Sequence, residues 1–128
     1  MDTLVTHGIK ISVVARYQEE YSQPEQLQFY YSYHIRIENK ADYTVQLMRR
    51  HWLIFDSAGG EQEVEGEGVV GNQPVLNPGE VYEYQSACYL KSEIGSMHGT
   101  YLFIRKVDGQ EFKVQIPRFT LIAPYRLN

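Results

Sequence analysis

Apolar residues recur at every second position along most of this chain. Ile9, Ile11 and Val13 alternate with Gly8, Lys10 and Ser12, and Phe29, Tyr31, Tyr33, Ile35 and Ile37 alternate with Gln28, Tyr30, Ser32, His34, Arg36 and Glu38. Further on, Tyr82, Tyr84 and Ser86 oppose Glu83 and Gln85, and Phe112, Val114 and Ile116 oppose Glu111, Lys113 and Gln115. Side chains of extended backbone point to opposite faces in turn, so each run predicts a strand with one buried and one wetted face. No window carries apolar residues at helical spacing. The pattern predicts an all-β chain.

The punctuation between the runs agrees. Ser22-Gln23-Pro24-Glu25, Asn39-Lys40-Ala41-Asp42, Asp56-Ser57-Ala58-Gly59-Gly60 and Asn77-Pro78-Gly79 all carry turn chemistry. Asp108-Gly109, set between Ile104–Val107 and Phe112–Ile116, predicts a hairpin. Strands and turns in this number predict an antiparallel β-sandwich of fibronectin type III or immunoglobulin-like form, with about seven to eight strands. At 128 residues the whole chain, 1–128, reads as one such domain. A Cys…Trp…Cys spacing is absent, which excludes a true antibody-type domain.

One run breaks step. Val45 and Leu47 share a parity, but Trp52 and Ile54 fall on the other, with Met48-Arg49-Arg50-His51 between them. A one-residue slip sends every later side chain to the opposite face, so a bulge or bend is expected near Arg49-Arg50. Trp52 then becomes a core residue between the sheets.

Charge and composition narrow the function. A net charge of −4 and a pI near 5.5 supply no basic field for a nucleic-acid backbone. The first residues hold neither a basic start nor an apolar run, so no signal peptide is expected. No stretch has the length to insert in a membrane. The single cysteine, Cys88, forms no internal disulfide. Packing must then supply the stability, which suits the cytoplasm. Eleven tyrosines stand out, and their apolar bodies and polar tips suit half-buried strand positions or a contact face for a partner protein.

The chemical candidates are few. Gly66, Gly68 and Gly71 form a GxGxxG string, whose backbone could cradle a phosphate. Pro74 and Pro78 follow too closely for the helix that a dinucleotide site requires, so a Rossmann site is excluded. A looser phosphate nest remains, with Arg49 and Arg50 as charge donors if the fold brings them near. The plainer alternatives are a glycine-rich turn between strands and two solvated arginines, and Glu65 and Glu67 would repel an anion. His7, His34, His51 and His98 have no ligand spacing, so no metal site is assigned. Ser86 and Cys88 share the inward parity of Tyr84, without a strand-to-helix elbow to present a nucleophile. No catalytic residue and no cofactor are assigned. Glu61, Glu63 and Glu65 read as an acidic strand edge that discourages aggregation.

Several separated motifs resemble one family. These are Arg50-His51-Trp52-Leu53-Ile54, the glycine string 66–71, Gln73-Pro74-Val75-Leu76-Asn77-Pro78-Gly79-Glu80, Tyr82-Glu83-Tyr84-Gln85-Ser86 and Gly95-Ser96-Met97-His98-Gly99-Thr100-Tyr101. Together they are similar to the ApaG family over essentially the whole chain. The resemblance implies a fibronectin-III-like sandwich and an association with cobalt resistance and magnesium efflux. Related domains in some F-box proteins imply a binding-module role, and phosphate or nucleotide binding at the glycine loop is a suggestion that travels with the family. The chain departs from the commoner pattern at His51, where Tyr is usual, and at Phe55, where a polar residue is expected.

The expected function is a non-enzymatic binding module for an as yet unidentified protein partner. The alternative ligand is phosphate, pyrophosphate or a nucleotide at Gly66–Gly71. The apolar segment from Ile116 to Tyr125, limited by Pro117 to an edge strand or arm, packs on its own domain or pairs with a second copy as a homodimer.

Overall fold

The computed structural model describes residues 1–124, and the alternating runs form strands throughout. They are β1 (Asp2–Thr6), β2 (Ile9–Tyr17), β3 (Phe29–Asn39), β4 (Val45–Asp56), β5 (Gly60–Glu67), β6 (Val75–Leu76), β7 (Val81–Leu90), β8 (Ile94–Arg105) and β9 (Glu111–Ile122). Two short 3-10 turns, Glu19–Tyr21 and Pro24–Gln26, interrupt the connection from β2 to β3. One sheet runs β1-β2-β3-β7 and the other β5-β4-β8-β9, with β6 also paired to β4; all pairings are antiparallel. The all-β sandwich is as the alternation predicts, with nine strands among the described residues instead of seven or eight.

The core is the set of inward-parity residues. Ile9, Ile11 and Val13 from β2 meet Tyr31, Tyr33, Ile35 and Ile37 from β3, all buried. From the other sheet Leu47, Trp52, Tyr101, Phe103, Val114 and Phe119 close over them. Trp52, only 3% exposed, lies between Tyr33, Tyr101 and Phe119 with ring centroids 5.5, 6.4 and 6.0 Å away. These near-perpendicular contacts suit the aromatic quadrupoles and lock the centre of the sandwich.

The expected irregularity in β4 is present. Its pairing with β8 slips between Leu47 and Arg49, which changes the inward set from Val45 and Leu47 to Trp52 and Ile54. A second slip separates Met97 from Gly99 in β8, opposite the stretch of β9 that holds Pro117. Proline has no N–H to give to a ladder, so it sits where pairing is already broken. The Asp108-Gly109 hairpin also forms: the Arg105 N–H donates to the Gln110 carbonyl at 2.9 Å, and Gly109 has φ +72°.

The C-terminal apolar segment follows its own domain. Phe119, Leu121 and Ala123 are buried, and the Ala123 N–H donates to the Glu93 carbonyl at 3.0 Å. Its last expected residue, Tyr125, lies outside the described residues.

Candidate functional site

The glycine string straddles the end of β5 and a tight turn. Val69 and Asn72 exchange two backbone hydrogen bonds of 2.8 and 3.0 Å around Val70 and Gly71. Both central residues have positive φ, +47° and +79°, as a two-residue hairpin of the I′ kind requires. Gly68 has φ +64°, and a Cβ there would come within 2.3 Å of the Asn72 carbonyl oxygen. Its N–H donates to the Met48 carbonyl at 2.9 Å, which also accepts from the Gln73 side chain at 3.0 Å. Met48 is the residue skipped in the β4 bulge, so the bulge anchors the loop. The N–H groups of Gly68, Val69 and Asn72 are thereby committed, and those of Val70 and Gly71 have no backbone acceptor.

The two arginines, paired in the sequence, point to opposite faces. Arg49 lies on the outer face and approaches the Glu67 carboxylate at 4.0 Å. Arg50 shares the inward parity of Trp52 and lies opposite Gly66 in the ladder. A Cβ on Gly66 would come within 2.9 Å of its guanidinium, so that glycine makes room for the arginine. Arg50 Nη1 donates to the carbonyls of Glu67 at 2.9 Å and Gly68 at 3.1 Å. The loop therefore offers carbonyls, not amides, to this cation. Arg50 is thus no solvated strand position, and parity with Trp52 was the signal in the sequence that could have placed it.

Arg50 stands at one end of a cleft of about 390 Å³ between the two sheets. The cleft opens on the side where the sheets end in β5 and β7, and Trp52, Tyr33, Gln62, Ser86, Cys88 and Met97 are among its lining residues. Burial raises the Tyr33 hydroxyl above its usual pKa, against the lowering effect of its hydrogen bond with Ser86. Burial likewise pushes the Cys88 thiol up to about 12, so it stays protonated and is a poor nucleophile at neutral pH. Its sulfur rests 3.8 Å from Met97 Sδ. Behind the cleft the hydroxyls of Tyr84 and Tyr101 are hydrogen-bonded to each other.

The histidines are dispersed. His34 Nε2 meets Glu83 at 2.8 Å on the outer face of the first sheet, and His51 Nε2 meets Glu63 at 2.9 Å on the outer face of the second. No group of three or more His, Cys, Asp or Glu side chains among the described residues could hold a metal ion.

A feature that alternation alone does not reveal is a tyrosine cluster at the end of β7. Tyr30 lies between Tyr21 and Tyr89, with ring centroids 5.7 and 4.6 Å away. Tyr21 and Tyr89 are 61% and 60% exposed, and Leu27 nearby is 62% exposed. Leu27 sits at φ +56° in a short hairpin closed by the Gln23–Gln28 bridge. These residues are far apart in sequence, so only pairing of β3 with β7 brings them together.

A loop-anchoring bulge and a cleft between sheet edges, carried on two open antiparallel sheets, define a fibronectin-type β-sandwich domain. The ApaG-domain family model matches residues 19–105. The chain is 46% identical to Protein ApaG of Anaeromyxobacter dehalogenans (strain 2CP-C) over 128 residues, covering all of both chains. It is 46% identical to Protein ApaG of Rhodospirillum centenum over 121 residues, covering 94% of this chain and 92% of the relative. The chain belongs to the ApaG family. Among solved structures, the putative ApaA protein from Bordetella pertussis superposes with a TM-score of 0.87 at 44% identity, covering 91% of this chain and 94% of that one.

Proposed function

We propose that this chain is a non-enzymatic binding module that takes up an extended segment of a partner protein along β7. What supports this is the contrast among the four sheet edges. The β5 edge carries Glu61, Glu63, Glu65 and Glu67, all exposed, which repel an incoming strand. The β9 edge is broken by its slip at Pro117. The β1 edge faces β9 across the closed side, where the Gln115 N–H donates to Thr6 Oγ1 at 3.3 Å. Only β7 combines a regular, ten-residue course with few charges, because Glu83 is its single charged residue and is already matched to His34.

The tyrosine cluster lies at the end of that edge. Aromatic side chains with polar tips make strong contact surface, and main-chain pairing along the edge would supply register. Leu27, apolar, exposed and held in a left-handed conformation, is the kind of strained residue that functional surfaces retain. We place the module in the cytoplasm, where its lone thiol suits a reducing compartment, and in an accessory role within the cobalt-resistance and magnesium-efflux association that the family carries. No helix among the described residues is long and apolar enough to cross a membrane.

The test is a photo-crosslinking amino acid placed at Tyr89 in living cells, with Val107, exposed on the β8–β9 turn, as the comparison position. A discrete adduct from position 89 that disappears with Gln85→Lys, a charge on the β7 edge, is the expected result. Adducts of the same size from both positions, or none from position 89, would defeat the proposal.

A further inference from the structure

The inter-sheet cleft holds a cation that no carboxylate among the described residues neutralises. Among the described residues Arg50 forms no ion pair, although β5, the strand paired beside it, carries Glu61, Glu63, Glu65 and Glu67. Those carboxylates point the other way. Glu63 and Glu65 are engaged with His51, and Glu67 faces Arg49, all on the outer face of the sheet. The Arg50 guanidinium has five N–H groups, of which Nη1 alone is bonded, to two carbonyls. The remaining edge of its fork is free for a bidentate acceptor, the geometry that suits carboxylates and phosphates.

The rest of the cleft is shaped for the body of such a molecule. Hydroxyls of Tyr33 and Ser86 and the Gln62 amide lie among its walls, and Trp52, Ile54 and Met97 provide apolar surface. A volume of about 390 Å³ falls in the range of small-molecule sites, and its accessible lining is mixed, with polar groups making up the larger share. From this position the Arg50 charge works against the burial that raises Tyr33, Tyr84 and Tyr101.

The geometry points to this cleft as a binding site for a small organic anion, its carboxylate or phosphate on the free edge of Arg50 and its apolar body against Trp52 and Met97. This site is distinct from the glycine turn, whose carbonyls bind Nη1 of Arg50, and it borders the β7 edge, whose Ser86–Tyr89 stretch forms one of its walls. It also explains why Gly66 must lack a side chain: the glycine is a seat for the arginine rather than a phosphate loop.

Trp52 is the only tryptophan and lines the cleft, so its fluorescence reports occupancy directly. The probes are benzoate and phenyl phosphate, with benzyl alcohol as the neutral counterpart and inorganic phosphate as the anion without a body. We expect saturable changes with benzoate or phenyl phosphate and none with benzyl alcohol. Arg50→Gln should weaken binding about ten- to hundredfold, the loss of a charge-assisted pair. Arg49→Gln, on the outer face, and Gly71→Ala, where a Cβ meets nothing within 4 Å, should leave it within about twofold. Val64 also lines the cleft, so Val64→Phe, which fills it while keeping Arg50, should abolish binding, and this second variant decides the matter if Arg50→Gln fails to fold. No saturation with either aryl anion at millimolar concentration, or full affinity in folded Arg50→Gln or Val64→Phe, overturns the proposal. Binding of inorganic phosphate that Gly71→Ala removes would move the site to the turn and equally overturn it. None of these outcomes depends on a protein partner at β7.

Discussion

At the scale of single residues, the positions with the largest leverage are ones that neither hydrophobicity nor charge singles out. Asn39 is fully buried, and its side chain closes three hydrogen bonds: Nδ2 donates to the carbonyls of Tyr43 at 2.9 Å and Leu76 at 3.0 Å, and Oδ1 accepts from the Ala41 N–H at 2.9 Å. It ties the β3–β4 turn to β6. Asn39→Ala strips partners from buried carbonyls and should cost about 2–3 kcal/mol, read as a lower urea midpoint at unchanged slope. A loss below half a kilocalorie would mean that water substitutes for the amide. Val70 carries the opposite lesson. A β-branched residue at φ +47° is strained, so Val70→Asn should stabilise the protein by about 1 kcal/mol in the same denaturation experiment.

At the scale of elements, β8 shows how a strand can be hidden in its own sequence. Gly95 and Gly99 both lie inside it, where glycine interrupts the alternation of apolar and polar residues. A Cβ on Gly99 would stand 2.0 Å from the His51 carbonyl oxygen, so glycine is required there by the close approach of β4 and not by any turn. Gly99→Ala must push the two strands apart, and a loss of about 3 kcal/mol or an insoluble product is expected. A variant that melts within a degree of the parent would show that β8 shifts without penalty. Elements whose partners are local were legible: the Asp108-Gly109 hairpin needs only the turn and its flanks. The bulge in β4 was legible too, because its parity change is written in Leu47, Trp52 and Ile54.

At the scale of the whole molecule, burial of titratable hydroxyls and one thiol sets the response to pH. Burial raises Cys88 from an ordinary 9.0 to about 12, and raises Tyr33, Tyr84 and Tyr101 above their ordinary 10.0. In each case the folded chain keeps a proton that the unfolded chain releases. Their contribution is therefore fully present below about pH 9 and is lost as pH rises beyond it. Thermal midpoints should fall steadily from about pH 9 to pH 11, and Cys88→Ala should blunt the first part of that fall. A midpoint flat to pH 11 would mean that these groups are hydrated in the native state.

The order of apolar and polar residues determined the fold class, the strand faces and the position of the bulge, since alternation is a property of adjacent residues and needs no partner. Family membership was legible for a related reason: its motifs are short strings held at fixed separations. The pairing of β3 with β7 was not, and it is this pairing that assembles Tyr21, Tyr30 and Tyr89 into one surface. Nor could the string Gly66, Gly68 and Gly71 disclose whether its amides were free. Backbone hydrogen bonds to Met48 and within the turn decide that, and they follow from how the sheets pack. Only the tertiary structure left Arg50 without a carboxylate. A charge is neutralised by what lies near it in space, and in this sandwich the carboxylates of the neighbouring strand β5 lie on the opposite face of the sheet.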